Sequence, residues 1–327
     1  MRKYLIFRTD RIGDYIFSRV LTESIKNDNS KNIIDFVCSS YNSKYIKYYK
    51  DIRNIYILDK YDLTLMIKNL IKINKSNYDY LIILDGKRRS VFYSVLLKAK
   101  FKIAILKDFR PYILLKTFFD NYFINSEVNP QFDNFCSVIN FLNIKVPDNI
   151  QYFNNYKIKK GKFNFLPNKF TLLHLDEKWF EGYYYKDFKY MNLNVKNFKL
   201  LIETIRKKFN NKIIITSGNI KISQFDLIKN YYFKKIKKNY YKSSVYKNNL
   251  FFIDKTDFRD LEYIVKKSNE IICCEGAISH VSNGFKKKTY ALIGNINTAK
   301  FWTSHMKNIN LLKRNSVNNI CKQIKNI

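Results

Sequence analysis

Two short stretches of this chain gather side chains able to do chemistry. The first, Arg8-Thr-Asp-Arg-Ile-Gly-Asp14, sets the carboxylates of Asp10 and Asp14 among the guanidinium groups of Arg8 and Arg11. A carboxylate within hydrogen-bond reach of a hydroxyl removes its proton as the oxygen attacks, and both aspartates are candidates for that base. Asp10 has a second use open to it, pairing with Arg8 or Arg11. The arginines match phosphate or carboxylate groups of an acceptor in bidentate fashion. Gly13 permits a tight turn, and Asp14 stands at the start of the helical pattern that follows. The second stretch, Glu275-Gly-Ala-Ile-Ser-His280, follows an apolar run and precedes a helical one. Small residues at such a turn expose backbone N–H groups, and a helix N-terminus of that kind holds a diphosphate without a metal.

The elements that must position these turns are legible as hydrophobic period. Residues 4–7, 33–37, 55–58, 80–84 and 103–106 are short β-rich runs. Between them 15–25, 63–73 and 91–98 carry apolar residues at three- and four-residue spacing, as a helix packed on a sheet requires. The alternation restarts at Phe170-Thr-Leu-Leu-His174 and continues through 213–216, 250–253, 270–274 and 289–293, with helical runs at 198–209 and 260–267. Repeated β-α units predict two mostly parallel sheets. The stretch from about 147 to 168 has Pro147, Gly161, Pro167 and several lysines but no sustained period, and is the expected linker. Two domains are therefore expected, 1–155 and 165–327, with a cleft between them and ligands outside the carboxyl ends of the strands.

The first turn resembles the opening of the ADP-heptose:lipopolysaccharide heptosyltransferase family (glycosyltransferase family nine), whose members begin with a strand, an Arg-x-Asp-Arg-Ile/Leu-Gly-Asp turn and a helix. The resemblance implies two Rossmann-like domains facing across a cleft, the GT-B type, and an inverting, metal-independent sugar transfer from a nucleotide donor to a lipopolysaccharide-core or other cell-envelope glycan. It gives Asp14 the role of general base; Arg8, Asp10, Arg11 and Gly13 of the same turn are the candidate acceptor contacts. Tyr78-Asp-Tyr-Leu-Ile-Ile-Leu-Asp85-Gly-Lys-Arg88-Arg89 is similar to a later N-domain strand of the family, with Arg88 an acceptor contact. The 275–280 turn is similar to the family's Asp-Ser/Thr-Gly-x-x-His motif, with Glu275 for Asp and Ala277 for Gly. It implies donor contacts by Glu275, Gly276, Ala277, Ile278, Ser279 and His280. Gly294-Asn-Ile-Asn-Thr-Ala-Lys-Phe-Trp302 looks like a family loop that closes over the donor. Lys178, with Lys186 the alternative, corresponds to a lysine directed at the donor phosphates, where a cation offsets charge on the leaving diphosphate. Thr216-Ser-Gly-Asn219 ends a further strand near the nucleotide. No cofactor and no metal is implied.

Composition sets the outer bounds. A formal charge of +33, from 60 Lys and Arg against 27 Asp and Glu, favours an anionic partner. The segment 229–247 holds seven lysines, five tyrosines and no acid, suited to stacking on bases or lying at a membrane interface, or else a solvated helix end and loop. The run 112–119, with Arg110 nearby, suits lipid contact or equally a place in the core. Five cysteines without a Cys-x-x-Cys pair and three histidines point away from a disulfide framework and a zinc site. With no signal-peptide core and no run of about 18 apolar residues, a cytoplasmic protein is expected, with any contact to an anionic membrane peripheral. The competing readings are a non-enzymatic binder of nucleic acid or anionic surface, with nucleic acid the less favoured, and a transferase-like fold without activity.

Overall fold

The computed structural model describes residues 1–59, 61–106, 117–124, 129–146, 162–180, 191, 193–218 and 222–327. Most of the expected linker, Arg110 with 112–116, Lys186 and Asn219 lie outside the described residues. The chain divides into two compact units, Met1–Tyr156 and Lys157–Ile327.

The first unit runs β1 (Lys3–Arg8), α1 (Ile12–Asp28), β2 (Ile33–Cys38), α2 (Ser40–Ile46), β3 (Ile52–Ile57), α3 (Leu63–Asn74), β4 (Tyr78–Ile83), α4 (Arg88–Val95), β5 (Ala99–Leu106), β6 (Asn121–Ile124) and α5 (Gln131–Phe141). Its described strands form one parallel sheet in the order β3-β2-β1-β4-β5-β6. Leu5, Ile6 and Phe7 are all buried, because a sheet covered on both faces needs continuous rather than alternating apolar strands. On one face α3 and α4 send Met66, Leu70, Ile73 and Val91 into a core with Leu5, Phe7, Leu81 and Ile83. Elsewhere Phe17 of α1 meets Phe135 of α5 edge-on at 4.9 Å.

The second unit runs β7 (Phe170–Leu175), α6 (Val195–Phe209), β8 (Lys212–Ser217), α7 (Ser223–Tyr232), β9 (Phe233–Lys237), β10 (Tyr240–Ser243), β11 (Leu250–Ile253), α8 (Phe258–Lys267), β12 (Glu270–Cys274), α9 (Ala277–Gly284), β13 (Lys288–Ile293), α10 (Ile296–Thr303), β14 (Ile309–Lys313) and α11 (Val317–Asn326). The sheet order is β14-β13-β12-β7-β8-β11-β10-β9. Strands β14 to β11 are parallel, and β10 and β9 add antiparallel to the edge. The basic aromatic segment 229–247, whose bland expectation was a helix end and loop, is the last turn of α7 followed by this hairpin. Phe233 and Tyr241 anchor it against Phe252.

Both sheets follow the same winding rule. The first strand sits in the middle, the next strands (β2 and β3 in the first unit, β8 to β11 in the second) are laid down on one side, and the chain crosses to the other. The order reverses between β1 and β4 in the first unit and between β7 and β12 in the second. Doubly wound sheets bind ligands outside the carboxyl ends of the strands at that reversal. The residues following β1, β4, β7 and β12 are those singled out from sequence. Among the described residues no helix is long and apolar enough to cross a membrane.

Candidate functional site

In the first unit Arg8 closes β1 and is only 2% exposed, so it is held from every side. Its Nη1 donates to the Leu84 carbonyl at 2.5 Å and its Nε to the Asp14 carbonyl at 3.1 Å. Its own carbonyl accepts from Asn42 Nδ2 at 2.8 Å. The guanidinium also reaches Asp10 Oδ1 at 3.1 Å and Asp14 Oδ1 at 3.5 Å, so one buried cation holds both candidate bases. The sequence reading offered Arg8 to an acceptor. In the structure it is buried and tethers the two carboxylates.

Asp14 is the third residue of α1, which begins at Ile12 with Arg11 as its cap. The Arg11 N–H donates to Asp14 Oδ2 at 3.1 Å, which draws Ile12 and Gly13 into the helix. Gly13 is therefore part of the first helical turn and is not among the glycines of positive φ, contrary to the tight turn expected there. Asp10 and Asp14 retain 17% and 23% exposure. Burial pushes the Asp10 carboxyl up to about 7, with Asp14 and Asp85 adding and Arg8 opposing. The turn after β4 locks onto this one. Thr9 donates its N–H and its hydroxyl to Asp85 Oδ2 at 2.9 and 2.5 Å, and Ser90 adds its hydroxyl at 2.8 Å. Lys87 Nζ reaches back to the Thr9 carbonyl at 3.2 Å. Arg88 opens α4 and is exposed.

In the second unit β7 runs into a 3-10 turn, Glu177–Trp179, capped by Asp176 Oδ1, which accepts from the Lys178 N–H at 3.1 Å. The fully buried Trp179 donates its indole N–H to the His174 carbonyl at 2.9 Å, pinning the turn. Lys178 is thereby aimed across the strand-order reversal, and its Nζ donates to the Glu275 carbonyl at the end of β12. Gly276, the cap of α9, has φ +151°, and a Cβ there would lie 2.8 Å from Lys178 Nζ. The backbone angle favours glycine, and a Cβ would push the flexible end of Lys178 aside. Ser279 braces the cap, its hydroxyl donating to the Gly276 carbonyl at 2.7 Å and accepting the Gly276 N–H at 3.2 Å. The amides of Ala277 and Ile278 stand at the helix start, where an α-helix offers no partner of its own. Lys178 and residues 275–279 thus converge although 97 positions separate Lys178 from Glu275.

Two contributors were not singled out from sequence. Asp176 is half-buried, and its desolvation raises its pKa against the opposing charges of Lys178 and Arg314. Arg314, 4% exposed, directly follows β14, and its N–H donates to the Ile293 carbonyl at 2.8 Å. Its signal was a cation after the outermost parallel strand, which a five-residue INLLK run did not announce. His280 is buried in α9 with its ring parallel to that of His305 at 6.4 Å. Gly294 follows β13, but the residues after it are not the expected loop. Asn295 accepts from the Asn297 and Thr298 N–H groups at 2.8 and 3.3 Å and starts α10, which carries Trp302. Ser217 closes β8, its hydroxyl donating to Asp254 at 2.8 Å. Among the described residues no three His, Cys, Asp or Glu side chains are grouped to hold a metal ion.

No protein-family model and no curated protein matches the chain. Solved structures do. Escherichia coli heptosyltransferase WaaC with ADP is 12% identical, with 99% of this chain and 97% of that chain covered at a TM-score of 0.65. The glycosyl transferase family 9 structure from Veillonella parvula is 12% identical, with coverage of 95% and 86% and a TM-score of 0.68. UDP-GlcNAc 2-epimerase from Neisseria meningitidis bound to UDP-GlcNAc is 12% identical, with coverage of 99% and 90% and a TM-score of 0.58. The chain shares the GT-B fold of these proteins, two Rossmann-like units, and resembles glycosyltransferase family nine in structure as it does at its N-terminal turn.

Proposed function

We propose that the chain is an inverting glycosyltransferase that needs no metal, with the nucleotide-sugar donor on the second unit and a glycan or glycolipid acceptor of the cell envelope on the first. The observation that carries this is the cap of α9, where Lys178 Nζ and the first helix amides concentrate positive charge beside a glycine whose backbone angle disfavours a side chain. A diphosphate suits that position. In the reaction, Asp14 takes the proton of an acceptor hydroxyl while its oxygen bonds to the anomeric carbon. The sugar–phosphate bond breaks, and the diphosphate leaves with the electron pair toward Lys178 and the Ala277 and Ile278 amides. Arg8 fixes the base, and Asp10 is the alternative base on the same tether.

Support comes from the shared fold of WaaC and the family 9 structure, and from the Arg8–Asp14 resemblance. A heptose or related sugar, a lipopolysaccharide-core acceptor and a cytoplasmic site of action, with peripheral contact to an anionic membrane, complete the reading. The test is a thermal-shift screen of ADP-, GDP- and UDP-sugars, followed by transfer assays on acceptor glycans. Selective stabilisation by one nucleotide, and loss of transfer in Asp14→Asn with donor binding kept, are the expected results. Acceptor-independent interconversion of the donor sugar would assign epimerase chemistry instead. Salt-dependent oligonucleotide binding with no nucleotide-sugar affinity would replace the enzyme reading.

A further inference from the structure

We propose that the outer face of α3 and α4 in the first unit docks on an anionic lipid surface. Three residues of α3 at four-residue spacing, Leu63, Ile67 and Ile71, are 64%, 48% and 55% exposed, although α3 already commits Met66, Leu70 and Ile73 to the core. On α4 and its cap the same spacing joins Arg88, Phe92 and Leu96, the last two 64% and 52% exposed. Side chains four apart on a helix are neighbours, so each helix carries a continuous apolar stripe outward. The two helices are joined directly. Tyr93 donates its hydroxyl to the Met66 carbonyl at 2.6 Å, and Asn74 Nδ2 donates to the Leu96 carbonyl at 3.1 Å.

Charge selects the occupant. Residues 63–78 and 86–106 contain no acid, while Lys68, Lys72, Lys75 and Lys98 are exposed beside the stripes. Exposed Asp62, the cap of α3, bounds this face at one end; from Leu63 onward apolar residues flanked by lysines match the boundary between acyl chains and acidic headgroups. A second copy of this chain is disfavoured as the occupant, since each copy carries +33 and would bring the same lysines face to face. The stripe on α4 starts at Arg88, next to the Asp85 turn. This deepens the membrane contact of the proposed function and rests on that reading only for its purpose, because vesicle binding is measured without donor or acceptor.

The test is co-sedimentation of the full chain with vesicles of phosphatidylcholine alone and of phosphatidylcholine with phosphatidylglycerol. Binding is expected to the anionic vesicles, weakened by salt, and little to the neutral ones. The combined variant Ile67→Ser, Ile71→Ser, Phe92→Ser should lose about tenfold or more in vesicle affinity, with melting temperature and nucleotide-sugar binding unchanged. A second variant, Lys68→Glu with Lys72→Glu, keeps the apolar stripe and should lose the preference for anionic lipid. Anionic binding unaltered in both variants, equal binding to neutral vesicles, or a dimer abolished by the triple substitution would overturn the proposal. Loss of vesicle binding alone leaves the transferase reading standing, and absence of nucleotide-sugar binding with vesicle binding intact overturns only that reading.

Discussion

Arg8, Asp10 and Asp14 put two carboxylates on one buried guanidinium, so the charge state of Asp10 bears on the proposed reaction. With the Asp10 carboxyl pushed up to about 7 by burial and by its acidic neighbours, it is about half protonated at neutral pH. If ionised Asp10 is needed, kcat/KM for transfer rises as pH passes upward through about 7, and Asp10→Asn removes that limb. A limb that persists in Asp10→Asn belongs to another group. A second residue-scale expectation concerns Gly276. Alanine there forces an unfavourable backbone angle and meets Lys178 Nζ at 2.8 Å. Gly276→Ala should cost about 1–3 kcal/mol in urea unfolding and weaken nucleotide-sugar binding by about tenfold as Lys178 is displaced. Full nucleotide affinity in this variant would remove the α9 cap from the donor site.

At the scale of elements, the site depends on pairs of turns held together across the sheet. Asp85 joins the turns after β1 and β4 by accepting from Thr9, Ser90 and the Lys87 N–H, the last at 3.2 Å. Asp85→Ala strands several buried donors at once, at a cost of about 3 kcal/mol or more, measured by urea unfolding. Asp85→Asn keeps an acceptor oxygen and should cost less. Equal losses in the two variants would mean that packing, and not the hydrogen bonds, ties the turns. Such ties explain which features were legible in sequence. Continuous apolar runs announced β1, β2, β4, β7 and β12, and the residues after them were identifiable as turns. The helix α2, with its SYNSKYI sequence, and the short β14 lacked a clear period, so Arg314 after β14 went unnoticed. Partners 76 and 97 positions apart, Thr9 with Asp85 and Lys178 with Glu275, leave no local pattern at all. The burial of Arg8 was not legible either, because exposure cannot be read from residue type.

At the scale of the whole chain, each unit has its own sheet and its own apolar core, so calorimetry should show two thermal transitions rather than one. Asp85→Ala should lower one and Gly276→Ala the other, which assigns them. A nucleotide sugar at a hundred times its Kd stabilises its unit by about 2.7 kcal/mol, or roughly 5–10 °C for a unit of this size. Only the transition lowered by Gly276→Ala should move. Acid gives an independent handle on that unit. Burial holds His174 down to about 4, and burial together with the His280 charge holds His305 to about 3. Both stay neutral in the fold where the unfolded chain takes up protons, below about 6.5. Stability of the second unit therefore falls as pH drops from 6.5 toward 4, and His174→Asn should flatten that slope. Asp10 acts in the opposite sense on the first unit. Its proton is kept in the fold and lost by the unfolded chain between 3.8 and about 7, so that unit gains from Asp10 on acidification. Between pH 7 and 5 the two transitions should draw apart or together according to these signs. A nucleotide sugar that shifted the Asp85-sensitive transition instead would place the donor on the first unit and reverse the assignment of substrates.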